Sequence, residues 1–433
     1  MKFTIKTLGC KVNTYESSVM HDLLINEGYE VAKDDEKADI AIVNTCTVTN
    51  TSDSKSLKII RHTIKENPGC ILIVTGCFSQ INSDKLKDVD GVSVILGNHD
   101  KSKIVQYINE YKIKKNQITN IYKIEDVPFE NMRLNNFDQT RAFVKIEDGC
   151  ENFCSYCIIP YSRGKVRSKR PEDVIEEVTN LTQIGHKEIV LAGIHTGHYG
   201  ADLENYDFSD LLASLCKING LERLRISSIE ITELNDKFLK VLENNKTIVD
   251  HLHVPIQSGC DKTLKEMNRK YDVDYFVNKI ETIRKIRPNI SITTDLIVGF
   301  PNETEEDFKE TLNTLEKIRF AKIHVFPFSV RRGTVAETMP NQIPEEIKKL
   351  RVRTILELSK NLEIEYMNKF IGEEVTFIPE VKKNGCLIGH TGNYLLVKLE
   401  SDKELTHGDI KCTIESVNYP YVIGRLFDTN DNL

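Results

Sequence analysis

The sequence predicts an α/β protein built from an N-terminal parallel α/β domain, a central partial (βα)6 barrel and a small C-terminal β-barrel. Apolar strand patterns alternate with helical spacing over residues 1–112 and again from Arg141, as they do in parallel α/β sheets. After residue 366 the pattern changes to short strands with glycine turns, which is typical of a small β-barrel. A length of 433 residues fits about three domains.

Four apolar strand patterns predict the N-terminal domain. Helical spacing follows the first two, over residues 15–28 and 52–66, so that strand and helix alternate. The four strands read KFTIKTLG, ADIAIVNT, ILIVTG and VSVIL. Residues 113–140 are polar and irregular, and we interpret them as a linker to the next domain.

Six strand patterns, each followed by a helical stretch, predict the central domain over residues 141–366. They read AFVKIE, EIVLAG, RLRISS, HLHVP, SITTDLIVG and KIHVFPF. Because a closed barrel of this type has eight βα units, six units predict a partial barrel. A long helix over residues 343–369 ends the domain, and its expected apolar side carries Ile347, Leu350, Ile355 and Leu358. The strands EVTFIPEV, GCLIGHTGNYLLVKL, IKCTIESV and VIGRLF predict the small barrel over residues 367–433.

The bulk composition limits the classes of function. A formal net charge of −7 excludes a polycationic chain, so that any RNA binding requires local basic patches. No apolar run approaches the ~20 residues that cross a bilayer, and MKFTIKTLGC is a strand pattern rather than a signal peptide. We therefore expect a cytoplasmic protein without a membrane partner. Eleven cysteines in such a chain indicate metal binding or catalysis rather than disulfides.

The segment DGCENFCSYC places three cysteines with the spacing C-x-x-x-C-x-x-C just after the first barrel strand. They are Cys150, Cys154 and Cys157. Structural zinc sites normally use four protein ligands, and the sequence offers no fourth cysteine or histidine nearby. Three thiolates on a 4Fe–4S cluster leave one iron open for a substrate. The alternative, three incidental buried thiols, is disfavoured because barrel enzymes carry out chemistry at this end of the strands.

This spacing, with Tyr156 before the last cysteine, resembles the radical SAM superfamily. The resemblance implies that the open iron binds S-adenosylmethionine (SAM), whose one-electron cleavage yields a 5′-deoxyadenosyl radical. Gly193, after the second strand, would let the backbone approach the methionine end of SAM. Glu230 and Gln257, after the third and fourth strands, are candidates to hold its ribose or base. For all three residues, an ordinary capping or solvated role is the alternative.

A second set of three cysteines follows three consecutive strands of the N-terminal domain. Cys10, Cys46 and Cys77 each end a strand, so that a parallel sheet places them along its carboxyl edge, where open α/β sheets bind ligands. Cys70 begins the strand that Cys77 ends and lies ~23 Å away along it, so we exclude it from the site. The pattern therefore predicts a second metal cluster. Three further cysteines are interpreted as ordinary buried thiols: Cys216, Cys386 and Cys412.

The segment RGKVRSKR, residues 163–170, carries five basic side chains and no acid. They are Arg163, Lys165, Arg167, Lys169 and Arg170. Because the segment directly follows the 150–157 triplet, a phosphate backbone bound there would lie near the radical site. The alternative is a solvated basic loop.

Taken with two cysteine triplets, the three-domain order is similar to that of the methylthiotransferase family, and the similarity covers essentially the whole chain. The C-terminal HTGNYLLVKL block resembles the TRAM domain, an RNA-binding barrel. The segments LGCKVNTYES, NTCTVTNTSDSKS and HVFPFSVRRGT resemble the subfamily acting on N6-threonylcarbamoyladenosine beside the tRNA anticodon. At the position of LGCKVN, enzymes that act on isopentenyladenosine have a sequence more like GCQMN, and enzymes that act on a ribosomal protein have one more like LGCPKN.

The resemblance implies an enzyme that methylthiolates C2 of N6-threonylcarbamoyladenosine at position 37 of tRNA. Its implied cofactors are two 4Fe–4S clusters and SAM. Its implied partners are tRNA, a sulfur source and a one-electron reductant such as flavodoxin or ferredoxin. One alternative is the same chemistry on isopentenyladenosine or on a ribosomal-protein side chain. A second alternative is a non-catalytic RNA module whose cysteines bind zinc.

Overall fold

The protein is described by a computed structural model over residues 1–33, 36–124, 127–135, 140–402 and 408–426. Its architecture is α/β, with a parallel sheet domain, a partial barrel and a closed small barrel in chain order. The fold class predicted from the sequence is therefore confirmed. Within the described ranges, none of the helices has the length and apolar character needed to cross a bilayer.

The N-terminal domain is a six-stranded sheet in the order β2-β1-β3-β4-β5-β6, and every neighbouring pair of strands is parallel. All four predicted strands are present, and the central two are completely buried. The strands are β1 Lys2–Thr7, β2 Glu30–Val31, β3 Ile40–Thr45, β4 Ile71–Gly76, β5 Val92–Leu96 and β6 Ile118–Asn120. The helices are α1 Lys11–Asn26, α2 Asn50–Glu66, α3 Cys77–Ile81, α4 Ser83–Lys87 and α5 Ile104–Lys114.

Strand β6 lies inside the segment that the sequence predicts to be an irregular linker. It pairs with β5 and completes the sheet, so the N-terminal sheet continues beyond residue 112. Further along this segment, Met132 and Leu134 are buried in the core that the sheet shares with the central barrel. The described parts of this segment therefore form a packed connection between two domains rather than an irregular linker, while residues 125–126 and 136–139 lie outside the described ranges.

The central domain contains all six predicted barrel strands. Two parallel three-stranded sheets, β7-β10-β11 and β12-β13-β14, are joined by bridges from Leu224 to Ile248 and from Ser228 to His253. The barrel strands are β7 Arg141–Lys145, β10 Glu188–Ala192, β11 Arg223–Ile226, β12 His251–His253, β13 Ser291–Val298 and β14 Lys322–Pro327, with the short ribbon β8 Glu147–Asp148 and β9 Arg167–Ser168. The helices are α6 Ile159–Arg163, α7 Pro171–Gln183, α8 Phe208–Leu215, α9 Asp236–Asn244, α10 Asp261–Glu266, α11 Val273–Ile286, α12 Glu305–Ile318 and α13 Glu345–Asn368.

Helix α13 is present as predicted, but its buried side differs from the expected one. Ile347 and Leu350 are exposed, whereas Ile355 is fully buried. The first two turns instead bury Lys348, which donates to the Phe328 carbonyl, and Arg351, which pairs with a buried glutamate of the barrel. These ionic contacts rotate the helix away from the side that apolar letters alone indicate.

The C-terminal domain is a closed five-stranded barrel in the order β15-β16-β17-β19-β18. Its strands are β15 Glu374–Lys383, β16 Cys386–Thr391, β17 Leu396–Glu400, β18 Ile410–Asn418 and β19 Tyr421–Leu426. The predicted strand GCLIGHTGNYLLVKL is two strands, because a turn after Thr391 divides it. Arg223, the first residue of β11, donates to the carbonyls of Thr376 and His390, which attaches this barrel to the central one.

Candidate functional site

The loop that follows β8 carries Cys150, Cys154 and Cys157. Gly149 has φ +98°, and a Cβ there would lie 1.8 Å from the Lys165 carbonyl oxygen, so only glycine permits this close approach. The amide of Cys150 donates to the Gly164 carbonyl, and the amide of Cys157 donates to the Cys154 carbonyl. These contacts hold the three thiols on one tight loop.

Charged and titratable side chains surround these three thiols. Nη1 of Arg269 donates to Cys154 Sγ at 3.3 Å, and Nδ1 of His195 lies 3.7 Å from Cys150 Sγ. Burial raises the pKa of Cys157 to about 12 and raises the pKa of Cys150 as well. Thiols in such a place become thiolates only when a bound metal supplies compensating positive charge.

The three candidate SAM residues lie around this loop, and the structure assigns each of them a local role as well. Glu230 pairs with Arg269 and forms a capping box with Glu233. A Cβ on Gly193 would come 2.7 Å from Glu147 Oε2. Gln257 has φ +64°, and its amide donates to the Asp295 carbonyl. Their role in SAM binding stays a prediction.

Two histidines beside the loop were not identified from the sequence. His195 and His198 stack with ring centroids 3.8 Å apart, and both approach the Glu233 carboxylate. The amide of His195 donates to Glu147 Oε2 at 2.7 Å, while burial raises the pKa of Glu147 well above its usual range. The spacing H-x-x-H directly after a barrel strand was the signal that could have revealed this cluster.

The second triplet is gathered at the carboxyl edge of the N-terminal sheet, as the strand-end pattern predicts. Cys10 caps the N-terminus of α1, and Cys77 is the first residue of α3. A Cβ on Gly9 would lie 3.1 Å from Cys46 Sγ, which places the third thiol beside the first. Burial raises the pKa of Cys46, and the nearby Cys77 and Cys10 raise it further.

Neither cysteine triplet has the geometry of a mononuclear zinc site. A tetrahedral zinc ion with Zn–S bonds of ~2.3 Å holds its sulfurs ~3.8 Å apart. Among the described residues, however, the only group with all ligand atoms within 4.8 Å of one another is His195, His198 and Glu233. The wider spacing of both triplets leaves room for a polynuclear iron–sulfur cluster, for which three thiolates are a suitable donor set.

Arg163 is not an RNA contact, which corrects the prediction from the basic segment. Its side chain is completely buried and joins the two domains through four partners. Nη1 donates to Glu16 at 3.0 Å and to Asp148 at 3.1 Å, and Nη2 donates to Asn13 at 2.7 Å. Nε donates to Cys77 Sγ at 3.3 Å, so this arginine contacts a predicted ligand of the second triplet.

The same buried group contains two lysines. Lys101 pairs with Glu16, and Lys145 pairs with Glu16 at 2.8 Å and with Asp148 at 2.6 Å. Burial alone would raise the pKa of Glu16, but the charges of Arg163, Lys101 and Lys145 hold it well below its usual range. Three cations thus face two carboxylates and, once a metal is bound, the Cys77 thiolate.

The other basic residues of the segment divide into buried and exposed. Lys169 is buried, pairs with Glu177 and donates to the Met132 carbonyl, so its prediction as an RNA contact is also wrong. Arg167 is half-buried and donates to the Arg163 carbonyl at 2.6 Å. Lys165 and Arg170 are exposed. These two side chains are what remains of the predicted basic patch.

The cysteines outside the two triplets do not form a further site among the described residues. Cys412 is buried as expected, whereas Cys216 and Cys386 are only partly buried. Cys260 is buried with its sulfur 3.6 Å from Asp307.

Comparisons with known proteins match both cysteine-bearing domains. Residues 144–315 match the radical SAM superfamily, and residues 2–97 match a family described as uncharacterized protein family UPF0004. The chain is 41% identical over 429 residues to the threonylcarbamoyladenosine tRNA methylthiotransferase MtaB of Bacillus subtilis, covering 97% of this chain and 95% of that protein. It is 37% identical to the protein of the same name from Aquifex aeolicus, covering 94% of this chain and 98% of the relative.

More distant relatives and solved structures extend this comparison. A tRNA-2-methylthio-N(6)-dimethylallyladenosine synthase of Staphylococcus haemolyticus is 34% identical over 99% of this chain and 85% of the relative. The solved radical S-adenosylmethionine methyltransferase TsrM of Kitasatospora setae superimposes with a TM-score of 0.56 at 13% identity, covering 78% of this chain and 77% of that one. At this identity the structural match concerns the fold alone.

Proposed function

The chain belongs to the radical SAM tRNA methylthiotransferase family, and we propose that it adds a methylthio group to C2 of N6-threonylcarbamoyladenosine at position 37 of tRNA. One observation carries this proposal. The relatives that share 41% and 37% of its residues over nearly the full length are named for threonylcarbamoyladenosine, whereas relatives named for dimethylallyladenosine share 34% and 35%.

Cys150, Cys154 and Cys157 would hold one 4Fe–4S cluster, and Cys10, Cys46 and Cys77 the other. With SAM bound, the first cluster supplies one-electron cleavage of SAM to a 5′-deoxyadenosyl radical. Arg269 orients the Cys154 thiolate and fixes Glu230 beside it. Arg163 does the same for Cys77 through a charge-assisted N–H···S contact. Both arginines place positive charge where thiolates must form.

The net change replaces the hydrogen on C2 of the adenine by a methylthio group. The 5′-deoxyadenosyl radical would take up the C2 hydrogen, a sulfur source would provide the sulfur by way of the N-terminal triplet, a second SAM would provide the methyl group, and flavodoxin or ferredoxin would provide the electron. Gly193, Glu230 and Gln257 would contact SAM. We place this reaction in the cytoplasm, where tRNA is modified.

Binding of tRNA is assigned to two exposed surfaces. Lys165 and Arg170 lie on the segment that follows the 150–157 loop, and both offer charges to phosphates. The five-stranded barrel, which resembles the TRAM domain, supplies the second surface. Because two of the five predicted cations are buried, more of the RNA contact falls to this barrel than the sequence indicates.

A direct comparison of two RNA substrates tests the proposal. Anaerobically reconstituted protein is incubated with SAM, a reductant and an anticodon stem-loop carrying either threonylcarbamoyladenosine or isopentenyladenosine, and the nucleosides are analysed by mass spectrometry. We expect the methylthio derivative of the first substrate alone, and none with the Cys154→Ala variant. Product from isopentenyladenosine alone would assign the chain to the other substrate.

A further inference from the structure

A cavity of about 340 Å³ lies where the three domains meet. The N-terminal domain contributes the side chain of Lys11, and the central barrel contributes most of the wall. The C-terminal barrel contributes the remaining side, which includes Tyr394. Its lining includes Lys11, Arg225, Ser228, His251, His324 and Tyr394. No single domain forms this cavity, so it exists only in the assembled chain.

The cavity has a positive wall with one unpaired charge. Of its lining residues, Lys11, Arg225 and Lys322 are cationic and only Glu363 is acidic. Arg225 is paired with Glu188 at 2.6 Å, and Lys322 is paired with Glu363 at 3.0 Å. The Lys11 ammonium has no hydrogen bond or ion pair with any residue that the structure describes. An unpaired cation that a ligand can reach in the wall of a cavity is a site for an anion.

A second polar group in the wall is also without a partner. His251 is 7% exposed, and its Nδ1 is buried with no hydrogen bond among the described residues. Its other nitrogen, Nε2, lies 3.2 Å from Thr293 Oγ1, so a proton on Nδ1 is consistent with the network. Buried polar atoms are almost always hydrogen-bonded, and this one belongs to a residue that lines the cavity.

The cavity adjoins both cysteine triplets. Lys11 directly follows Cys10 in the chain. Ser228 lies two residues before Glu230, whose partner Arg269 donates to Cys154 Sγ. The cavity is thus connected to both triplets through residues that neighbour its lining.

We propose that the cavity binds the threonyl carboxylate of the substrate nucleoside, with the Lys11 ammonium as its counter-ion and His251 Nδ1–H as a second donor. The inference rests on the proposed function, since it concerns the side chain that distinguishes this nucleoside. An uncharged dimethylallyl group would offer the Lys11 ammonium no partner. The cavity therefore selects for the acidic substituent as well as binding it.

The test compares two RNA ligands that differ in a single charge. Anticodon stem-loops carrying threonylcarbamoyladenosine or its methyl ester are titrated into reconstituted protein, and Kd is measured for both. A charge-assisted hydrogen bond predicts that wild-type protein binds the acid roughly 10- to 100-fold more tightly than the ester. Lys11→Gln should reduce this ratio to about 2-fold or less, mainly by weakening binding of the acid.

A matched variant controls for the loss of a positive charge from the N-terminal domain. Lys87 is exposed and pairs with Asp84 on the surface, so Lys87→Gln should keep the wild-type ratio. If Lys11→Gln keeps that ratio too, or weakens both ligands equally, the carboxylate site is refuted. Because the ratio is taken within one protein, a partly misfolded fraction does not imitate the expected result.

Turnover of the same stem-loop separates this inference from the proposed function. Methylthio product without a preference for the acid refutes the cavity assignment and leaves the function in place. A Lys11-dependent preference for the acid, without product from competent protein, refutes the function and supports the carboxylate site. Iron content and SAM cleavage, measured for each variant, establish that the protein is competent.

Discussion

Replacing Arg163 by methionine tests the account of how the two cluster-binding domains are joined. The substitution keeps most of the buried volume but removes the guanidinium that contacts Glu16, Asp148, Asn13 and Cys77. Two carboxylates and a thiolate then face only two lysines. Breaking a buried ionic group by removing one partner costs about 3–5 kcal/mol, since a buried charge is left uncompensated.

This cost converts into a shift that calorimetry resolves. At roughly 2–4 °C per kcal/mol for domains of 150–250 residues, the melting transition of the joined domains should fall by roughly 6–20 °C. The melting temperature of Arg163→Lys should fall less than that of Arg163→Met, because the ammonium keeps the positive charge. It should still lie below the wild-type value, because an ammonium cannot bind all four partners at once. Removal of the N–H···S bond should also make the reduction potential of the N-terminal cluster more negative, as measured by redox titration with EPR detection.

Arg170→Met is the matched control from the same basic segment. Arg170 is 72% exposed and pairs only with Asp173, and such surface pairs contribute about 0–1 kcal/mol. We expect its melting temperature and cluster potential to equal those of the wild type. If Arg163→Met melts within about 2 °C of wild type, the buried group does not join the domains and the reasoning is wrong.

Further predictions concern the metal content, the separation of the two sites and the RNA surface. Anaerobic reconstitution should give about eight irons per chain, and a zinc-rich protein without charge-transfer absorbance would contradict this. Cys154→Ala should abolish both 5′-deoxyadenosine and product, whereas Cys46→Ala should still cleave SAM but form no methylthio product; normal product from Cys46→Ala would exclude the N-terminal triplet from catalysis. Replacing Lys165 and Arg170 together by glutamine should flatten the plot of log K against log salt by roughly 0.7–0.9 for each phosphate that the protein no longer neutralises. An unchanged slope would contradict this assignment and would indicate that the RNA-binding surface lies on the C-terminal barrel.

The positions of the strands and the placement of the cysteines could be predicted because both depend on the local sequence. The strands of the two parallel sheets are short apolar runs, and a cysteine directly after such a run must lie at the carboxyl edge of its sheet. The N-terminal triplet follows from this rule, and the 150–157 triplet follows from its C-x-x-x-C-x-x-C spacing. The six-stranded count of the central barrel followed in the same way.

Burial of individual charges could not be predicted, because it depends on distant partners. Arg163 and Lys165 look alike in RGKVRSKR, yet Arg163 pairs with Glu16, which lies far away in the sequence. Ile347 and Leu350 look like core residues, yet α13 turns its buried side toward ionic contacts instead. Strand β6 has only three residues, Ile118–Asn120, and forms by pairing with β5.

The most direct test of the central claim is mass spectrometry of tRNA nucleosides from cells. A strain that makes N6-threonylcarbamoyladenosine but lacks its methylthiolation is given this chain, or its Cys154→Ala variant. The account predicts that the wild-type chain produces 2-methylthio-N6-threonylcarbamoyladenosine and that the variant does not. A nucleoside profile that is the same with either chain, with N6-threonylcarbamoyladenosine remaining unmodified at C2, would contradict the account.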